Sequence, residues 1–197
     1  SNVKTFEIGD MVGVGPLRTC CEKCYYCHDN KENLCTESMF NFTCAPWFGG
    51  FCTTVQIPHN YTFKIPEGIS PELAPPLMCA GGTVFAPLKK YAKVGAKVAI
   101  LGMGGLGHLA IQFSSNMGMK TYAVSTSDTK KDLCFKLGAH EYVNTSNPEE
   151  LKKFHEEKID LMINTTGVGD VSVYMRALKK GSGVFAQVGG PDEEFKI

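Results

Sequence analysis

Five of the nine cysteines of this chain fall within sixteen positions, in the stretch CCEKCYYCHDNKENLC from Cys20 to Cys35. Counted from Cys21 the spacing is C-x2-C-x2-C-x7-C, through Cys24, Cys27 and Cys35. Four thiolates on one short loop can close a tetrahedral shell around zinc without help from a distant element, and a closed shell of four sulfurs leaves no position for substrate. The expected site is therefore structural. A ferredoxin-type iron–sulfur run starts the same way but continues x3-C-P, whereas here seven residues intervene and Thr36 follows the last cysteine. Disulfides would have to join residues three apart in a crowded loop, and unligated thiols would have no reason to bunch. Neighbouring side chains on an extended segment point to opposite sides, which argues against Cys20 and Cys21 serving one metal together. Spacing alone leaves open the register that uses Cys20, C-x3-C-x2-C-x7-C. His28 lies inside the loop as a further donor and is expected in solvent.

A second cluster is the turn LGMGGLGHLA, in which Gly102, Gly104 and Gly107 have the spacing G-x-G-x-x-G. The motif is weak alone, but this one follows an apolar strand, KVAIL, and opens a helix. In that setting Gly102 permits the tight turn, Gly104 lets a pyrophosphate approach the backbone, Gly107 lets helix and strand pack closely, and the helix N-terminus faces the phosphates. The next strand, KTYAVST, ends in Ser125, Thr126 and Ser127, followed by Asp128, Thr129, Lys130 and Lys131. An acidic residue about 20 positions past the turn would bind the ribose hydroxyls of NAD. Hydroxyls and ammonium groups suit a 2′-phosphate instead, so NADP(H) is the expected cofactor, with Asp128 at a shifted position as the competing signal for NAD. Ser127 or Asp128 is also expected to cap the helix that follows.

Two textures of sequence carry these motifs, and they meet near residue 80. Before it, short β-rich runs, IGDMVGV, GGFCTTVQI and YTFKIPEG, alternate with turn signals around the cysteine loop and predict a small barrel or sheet. After it, strands and helices alternate: KVAIL, GHLAIQFSSNM ending at Gly118, KTYAVST, DTKKDLCFKL closed by Gly138, HEYVN, NPEELKKFHEE with Asn147 as cap and Pro148 first inside, DLMIN, DVSVYMRALKK, and VFAQVG. Five strands separated by helices predict a parallel sheet covered on both faces. In the connection SPELAPPLMCAGGTVFAPLKKY, Ser70 is expected to cap a short helix from Pro71, Pro75 and Pro76 to break it, and a second helix to run from about Gly82 to Tyr91.

Composition bounds the partners. Lysine plus arginine balances aspartate plus glutamate, 20 against 20, so no basic field points to nucleic acid or an anionic membrane. The longest apolar region, Val98 to Phe113, is short and broken by glycines, which predicts no membrane span. No secretory signal opens the residues given. An odd cysteine count with adjacent Cys20 and Cys21 fits a reduced, cytoplasmic compartment.

The cysteine loop upstream of a dinucleotide turn resembles the zinc-dependent medium-chain alcohol dehydrogenases. CCEKC, PLMCAGGTVFAPL, LGMGGLGH and STSDTKK bring it nearest the cinnamyl-alcohol-dehydrogenase-like branch. The resemblance implies an α/β fold: a Rossmann-type doubly wound parallel sheet over 80–197, lacking its last strand, preceded by part of a GroES-like catalytic domain over 1–79. It implies Cys21, Cys24, Cys27 and Cys35 as structural zinc ligands, with Cys20 left out, and Cys79 in MCAG as a ligand of a catalytic zinc. It further implies Thr83 near the nicotinamide, Gly105 and Leu106 at the pyrophosphate, and Thr165, Val188 and Gly189 at strand ends lining the cofactor cleft. Trp47 and Phe48 are candidates for the substrate pocket and equally for packing. The family's other catalytic-zinc residues, a cysteine and a Gly-His-Glu segment, have no counterpart in these residues, so an internal portion of a longer enzyme is expected. The implied reaction is hydride transfer between nicotinamide and a primary alcohol or aldehyde, a small-molecule partner, with room for a homodimer. Two other readings stay in view: a dehydrogenase-like structural subunit of a larger assembly, and a zinc-free reductase of quinones or activated alkenes, against which the cysteines argue.

Overall fold

A computed structural model describes residues 3–37, 40–41, 49–167 and 170–190, with only the backbone of 40 and 41. The chain divides into two compact units, Ser1–Cys79 and Ala80–Ile197.

The first unit is built from short pieces. Strand β1 (Val12–Val14) pairs antiparallel with β4 (Thr62–Lys64), and β2 (Leu17–Thr19) with β3 (Phe40–Asn41). Between β2 and β3 lie the one-turn helix α1 (Tyr25–His28) and a 3-10 turn, Glu32–Leu34. A second 3-10 turn, His59–Tyr61, leads into β4. The strand expected over Gly49–Ile57 does not form among the described residues. Its Phe51 and Val55 stay exposed, and the Gln56 carbonyl accepts from the Arg18 guanidinium at 3.1 Å rather than from a strand ladder. The helix expected from Pro71 is a turn instead, in which the Leu73 and Ala74 N–H groups both donate to the Ser70 carbonyl. Helix α2 (Ala74–Pro76) follows, then a π-helical turn, Leu77–Gly81. Pro75 and Pro76 thus begin the helix rather than break it, because the first N–H groups of a helix have no intrahelical acceptor to lose.

Helix α3 (Gly82–Tyr91) runs over the predicted residues. Beyond it β5 (Lys97–Leu101), α4 (Gly105–Asn116), β6 (Lys120–Ser125), α5 (Lys131–Lys136), β7 (Glu141–Asn144), α6 (Pro148–His155), β8 (Leu161–Asn164), α7 (Ser172–Met175) and β9 (Val184–Gln187) alternate as expected. All five strands are parallel, in the order β7-β6-β5-β8-β9. Alternate residues of β5 divide two cores. Val98 and Ile100 pack with Leu88, Ile111 and Ile163 on one face, and Ala99 and Leu101 with Tyr122, Phe154 and Met162 on the other. That is why β5 reads as a continuous apolar run: both faces of a covered parallel sheet are dry, and each fully buried Ile or Leu contributes about 2 kcal/mol.

The last predicted helix is cut to four residues. The chain leaves it for a parallel bridge between Ile159 and Leu178, in which Ile159 N–H donates to the Ala177 carbonyl at 2.8 Å and Lys179 N–H to the Ile159 carbonyl at 2.9 Å. Those tertiary bonds replace the helix's own. Asn147 caps α6 as predicted, its side chain accepting from the Glu149 N–H at 3.1 Å. Asn147→Ala should cost about 1 kcal/mol, read as a midpoint of thermal unfolding lowered by about 2–4 °C.

Candidate functional site

Two places gather side chains that could bind something. The first is the cysteine loop. Cys24 is the N-cap of α1, which sets Cys27 one turn along on the same side, and the 3-10 turn delivers Cys35. The four sulfurs of Cys21, Cys24, Cys27 and Cys35 all lie within 4.8 Å of one another. Cys24 and Cys27 are separated by 3.5 Å, Cys21 and Cys27 by 3.8 Å. Sulfurs about 2.3 Å from one zinc at tetrahedral corners lie about 3.8 Å apart, whereas a disulfide needs about 2.05 Å. The donor set and its spacing therefore fit zinc.

The electrostatics agree. Burial, with the neighbouring thiols of Cys20 and Cys24, pushes the Cys27 thiol above the ordinary cysteine range. The backbone hydrogen bond from Cys27 pulls Cys24 below it. Four thiolates this close repel one another, and a dication is the charge that offsets them. The Cys24 N–H also donates to the Cys21 sulfur at 3.3 Å, as suits a thiolate. Cys20 stands outside the quartet. It is buried, and its sulfur accepts from the Tyr61 hydroxyl at 2.8 Å. His28 is exposed.

The second place lies where the sheet changes its direction of growth. From β5 the chain adds β6 and β7 on one side, then β8 and β9 on the other, and ligands of open α/β sheets bind at the carboxyl ends of strands at such a switch point. A cavity of about 380 Å³ is found there. Its lining comes from the glycine turn (Gly102, Met103, Gly104), from the end of β6 and the loop beyond it (Ser125, Ser127, Thr129, Lys130), and from Thr165 and Thr166 after β8. A smaller cavity of about 140 Å³ adjoins, sharing Gly102, Ser125 and Thr166 and adding Thr126 and Tyr174.

Each glycine of the turn meets a different constraint. Gly102 has φ +86°, and a Cβ there would lie 2.4 Å from the Thr166 methyl carbon. A Cβ on Gly107 would lie 2.0 Å from the Gly102 carbonyl oxygen. At Gly104 a Cβ would meet no protein atom within 4 Å. The space it would take is free of protein, as a cradle for a bound pyrophosphate requires. Gly104 is also the N-cap of α4 and provides no side-chain cap, so the first N–H groups of that helix remain for an anion. The Thr165 hydroxyl closes the turn, donating to the Leu101 carbonyl at 2.7 Å, with the Gly102 carbonyl at 3.1 Å. Lys130 reaches back to donate to the Met103 carbonyl at 2.8 Å. The residues present fit a dinucleotide phosphate with hydroxyl and ammonium groups beside its ribose.

Comparison with known proteins adds the family. The model of the zinc-binding dehydrogenase family matches residues 105–197, and that of the alcohol dehydrogenase GroES-like domain matches 1–67. The probable formaldehyde dehydrogenase AdhA of Bacillus subtilis is 35% identical over 97% of this chain and 56% of its own length. The probable cinnamyl alcohol dehydrogenase 1 of Oryza sativa subsp. japonica is 34% identical over 98% and 56%. A CAD from Helicobacter pylori, solved in complex with NADP(H), superposes with a TM-score of 0.83 at 31% identity, over 96% of this chain and 55% of that one. The chain belongs to the zinc-type medium-chain alcohol dehydrogenase family. It spans about half the length of the curated relatives it matches.

Within the chain the expected site residues fall into groups. Gly102, Gly104, Ser125, Ser127, Lys130 and Thr165 share one cavity, and Thr126 opens to its neighbour. Gly105 and Leu106 form the first turn of α4, while Gly107 is turned inward. Val188 packs half-buried against the core, and Gly189 is buried, with no room for a Cβ beside the Thr166 carbonyl. Thr83 is the second residue of α3, and Cys79 is exposed in the π-helical turn, a form frequent at functional sites. Trp47 and Phe48 lie outside the described residues. The helix cap expected from Ser127 or Asp128 is not made. Lys130 occupies the N-cap of α5, Ser127 bonds the Thr129 hydroxyl at 3.3 Å, and Asp128 is taken by Asn144.

Sequence reasoning passed over Met103, Thr166, Tyr174 and Asn164. Asn164 is fully buried and organises the end of β8. Its Oδ1 accepts from the Thr166 N–H at 3.1 Å and hydroxyl at 2.7 Å, and its amide donates to Gln187 at 2.7 Å. An asparagine closing an otherwise apolar strand was the available signal, since a buried amide needs partners.

Proposed function

We propose that this chain is part of a zinc-dependent, NADP(H)-preferring alcohol dehydrogenase or aldehyde reductase that moves hydride between nicotinamide and a primary alcohol or aldehyde, in a reduced, cytoplasmic setting. The observation that carries the cofactor preference is the lining beside the ribose: Ser125, Ser127 and Thr129 hydroxyls and the Lys130 ammonium, with no carboxylate among the described residues of that cavity. The NADP(H) complex of the Helicobacter pylori relative supports it.

The nicotinamide, when bound, supplies the hydride donor or acceptor. The chain's own residues bind and orient: the Gly102–Gly107 turn and the N-terminus of α4 take the pyrophosphate, Lys130 and its neighbours take the 2′-phosphate, and Thr83, Thr165, Val188 and Gly189 border the nicotinamide half. Cys21, Cys24, Cys27 and Cys35 hold a structural zinc that touches no substrate. Cys79 offers one thiolate to a catalytic zinc. Such a zinc takes about three protein ligands. The loop quartet is the only group of three or more candidate ligands among the described residues, so no step of the reaction is assigned to a metal at Cys79.

Steady-state kinetics of the complete gene product with a primary alcohol or aldehyde test the reading. A higher kcat/KM with NADPH than with NADH is expected, and the reverse order overturns it. Lys130→Ala should lower kcat/KM about tenfold with NADPH, for the loss of one charge-assisted contact, and little with NADH.

A further inference from the structure

The segment Ser125–Asp128, which borders the ribose side of the cavity, is held from behind by β7 and the turn after it. The Thr145 N–H and hydroxyl donate to the Ser125 carbonyl at 2.8 and 3.2 Å. The Ser146 hydroxyl donates to the Thr126 carbonyl at 2.7 Å, and the Tyr142 hydroxyl donates to the Ser127 carbonyl. At the fourth residue the bond goes to a side chain instead. Asn144 Nδ2 donates to Asp128 Oδ2 at 2.8 Å. The orientation of that amide is fixed by its other end, since Asn144 Oδ1 accepts from the Ser146 N–H at 3.0 Å. Lys131 stands on the other oxygen of Asp128, 4.0 Å away.

Asp128 is the one carboxylate between Ser125 and Lys130, and it sits between two residues, Ser127 and Thr129, that line the cavity while it does not. A carboxylate in that loop is the group that would accept ribose hydroxyls and repel a 2′-phosphate. We infer that Asn144, which does not line the cavity, is a positioning residue for cofactor specificity: it holds the Asp128 carboxylate against β7 and so keeps the ribose pocket open to a 2′-phosphate. The inference deepens the NADP(H) reading and rests on it.

Asn144→Asp is the sharpest variant, because it keeps the oxygen that accepts from Ser146 and exchanges only the donor for a charge that repels Asp128. Dissociation constants of the complete gene product for NADPH and NADH, measured by titration calorimetry, give a selectivity ratio that a purely structural role would leave unchanged. Asn144→Asp should shift that ratio toward NADH by about threefold to fivefold, the upper part of the range expected of one exposed charge contact. Asp128→Asn alone should leave the ratio within about twofold, and the double variant should return to it, since the two residues act as one coupled pair. An unmoved ratio overturns the inference, and so does a shift that Asp128→Asn fails to rescue, which would trace the effect to the new charge at 144. If Asn144→Asp does not fold, Asn144→Ala is judged by the same rescue. The wild-type ratio answers a separate question: tighter binding of NADH overturns the NADP(H) reading, whereas the clamp stands or falls on the shift and its rescue.

Discussion

Replacing Cys27 by serine should remove one zinc ion per chain and unfold the loop between Cys21 and Cys35. The loop has little else to hold it. Its helix α1 has four residues and its 3-10 turn three, both far below the length at which helix persists without tertiary support. Within residues 21–35 only Cys35 is buried, and the small cluster it joins is completed by Cys20 and Tyr61 from outside the loop. A structural zinc in small peptides supplies about 10–16 kcal/mol of apparent binding energy, and losing one of four thiolates at a site this short of apolar packing should cost at least about 3 kcal/mol. Metal content by mass spectrometry and limited proteolysis within the loop report the two consequences separately. Cys20→Ser should retain the ion, because Cys20 lies outside the quartet and engages Tyr61 instead. Loss of zinc from Cys20→Ser, with retention in Cys21→Ser, would show that the cage begins one residue earlier.

How far this could be read in advance depended on how local each cause is. The cysteine cluster was legible as a metal loop because ligand spacing within one short loop is a local constraint, although spacing left the Cys20 register open and the family resemblance chose Cys21. The parallel sheet was legible because strands and helices alternate along the chain. Asn147 and Pro148 gave the start of α6 from two adjacent residues. The failures share a different cause. The short α7 follows from a bridge to Ile159, and near Val55, where no strand forms among the described residues, the Gln56 carbonyl is taken by the Arg18 guanidinium; neither contact is written in the segment itself. The same holds in the crevice at the strand ends. Its glycine turn was visible as a motif, but Thr166 and Tyr174 join it only because the order β5-β8 brings the ends of distant segments together. Asp128 illustrates the point at one residue. Its shifted place in sequence was the competing signal for NAD; the structure leaves it out of the cavity lining, and its hydrogen-bond partner, Asn144, is sixteen positions away.

The glycine turn allows protein packing and cofactor binding to be separated by two substitutions three residues apart. Gly107→Ala should fail as a protein: its methyl would be 2.0 Å from the Gly102 carbonyl oxygen, a backbone atom held in place by a residue at φ +86° and by the Thr165 hydroxyl. Helix α4 would have to move off β5, at a cost of about 3 kcal/mol, seen as an unfolding midpoint lowered by about 6–12 °C. Gly104→Ala meets no protein atom within 4 Å and keeps a backbone, φ −90° and ψ −161°, at the margin of the extended region and well clear of the left-handed one. Its cost should stay below about 1 kcal/mol, the difference between glycine and alanine at an N-cap. The methyl should instead occupy the ground where the pyrophosphate meets the backbone, weakening NADPH binding by about tenfold to a hundredfold with little change in the unfolding midpoint. Calorimetric titration beside a thermal melt distinguishes the two. Undiminished NADPH affinity in Gly104→Ala would mean that the phosphates lie elsewhere in the crevice, because no other consequence of that methyl can offset its presence against the helix N-terminus.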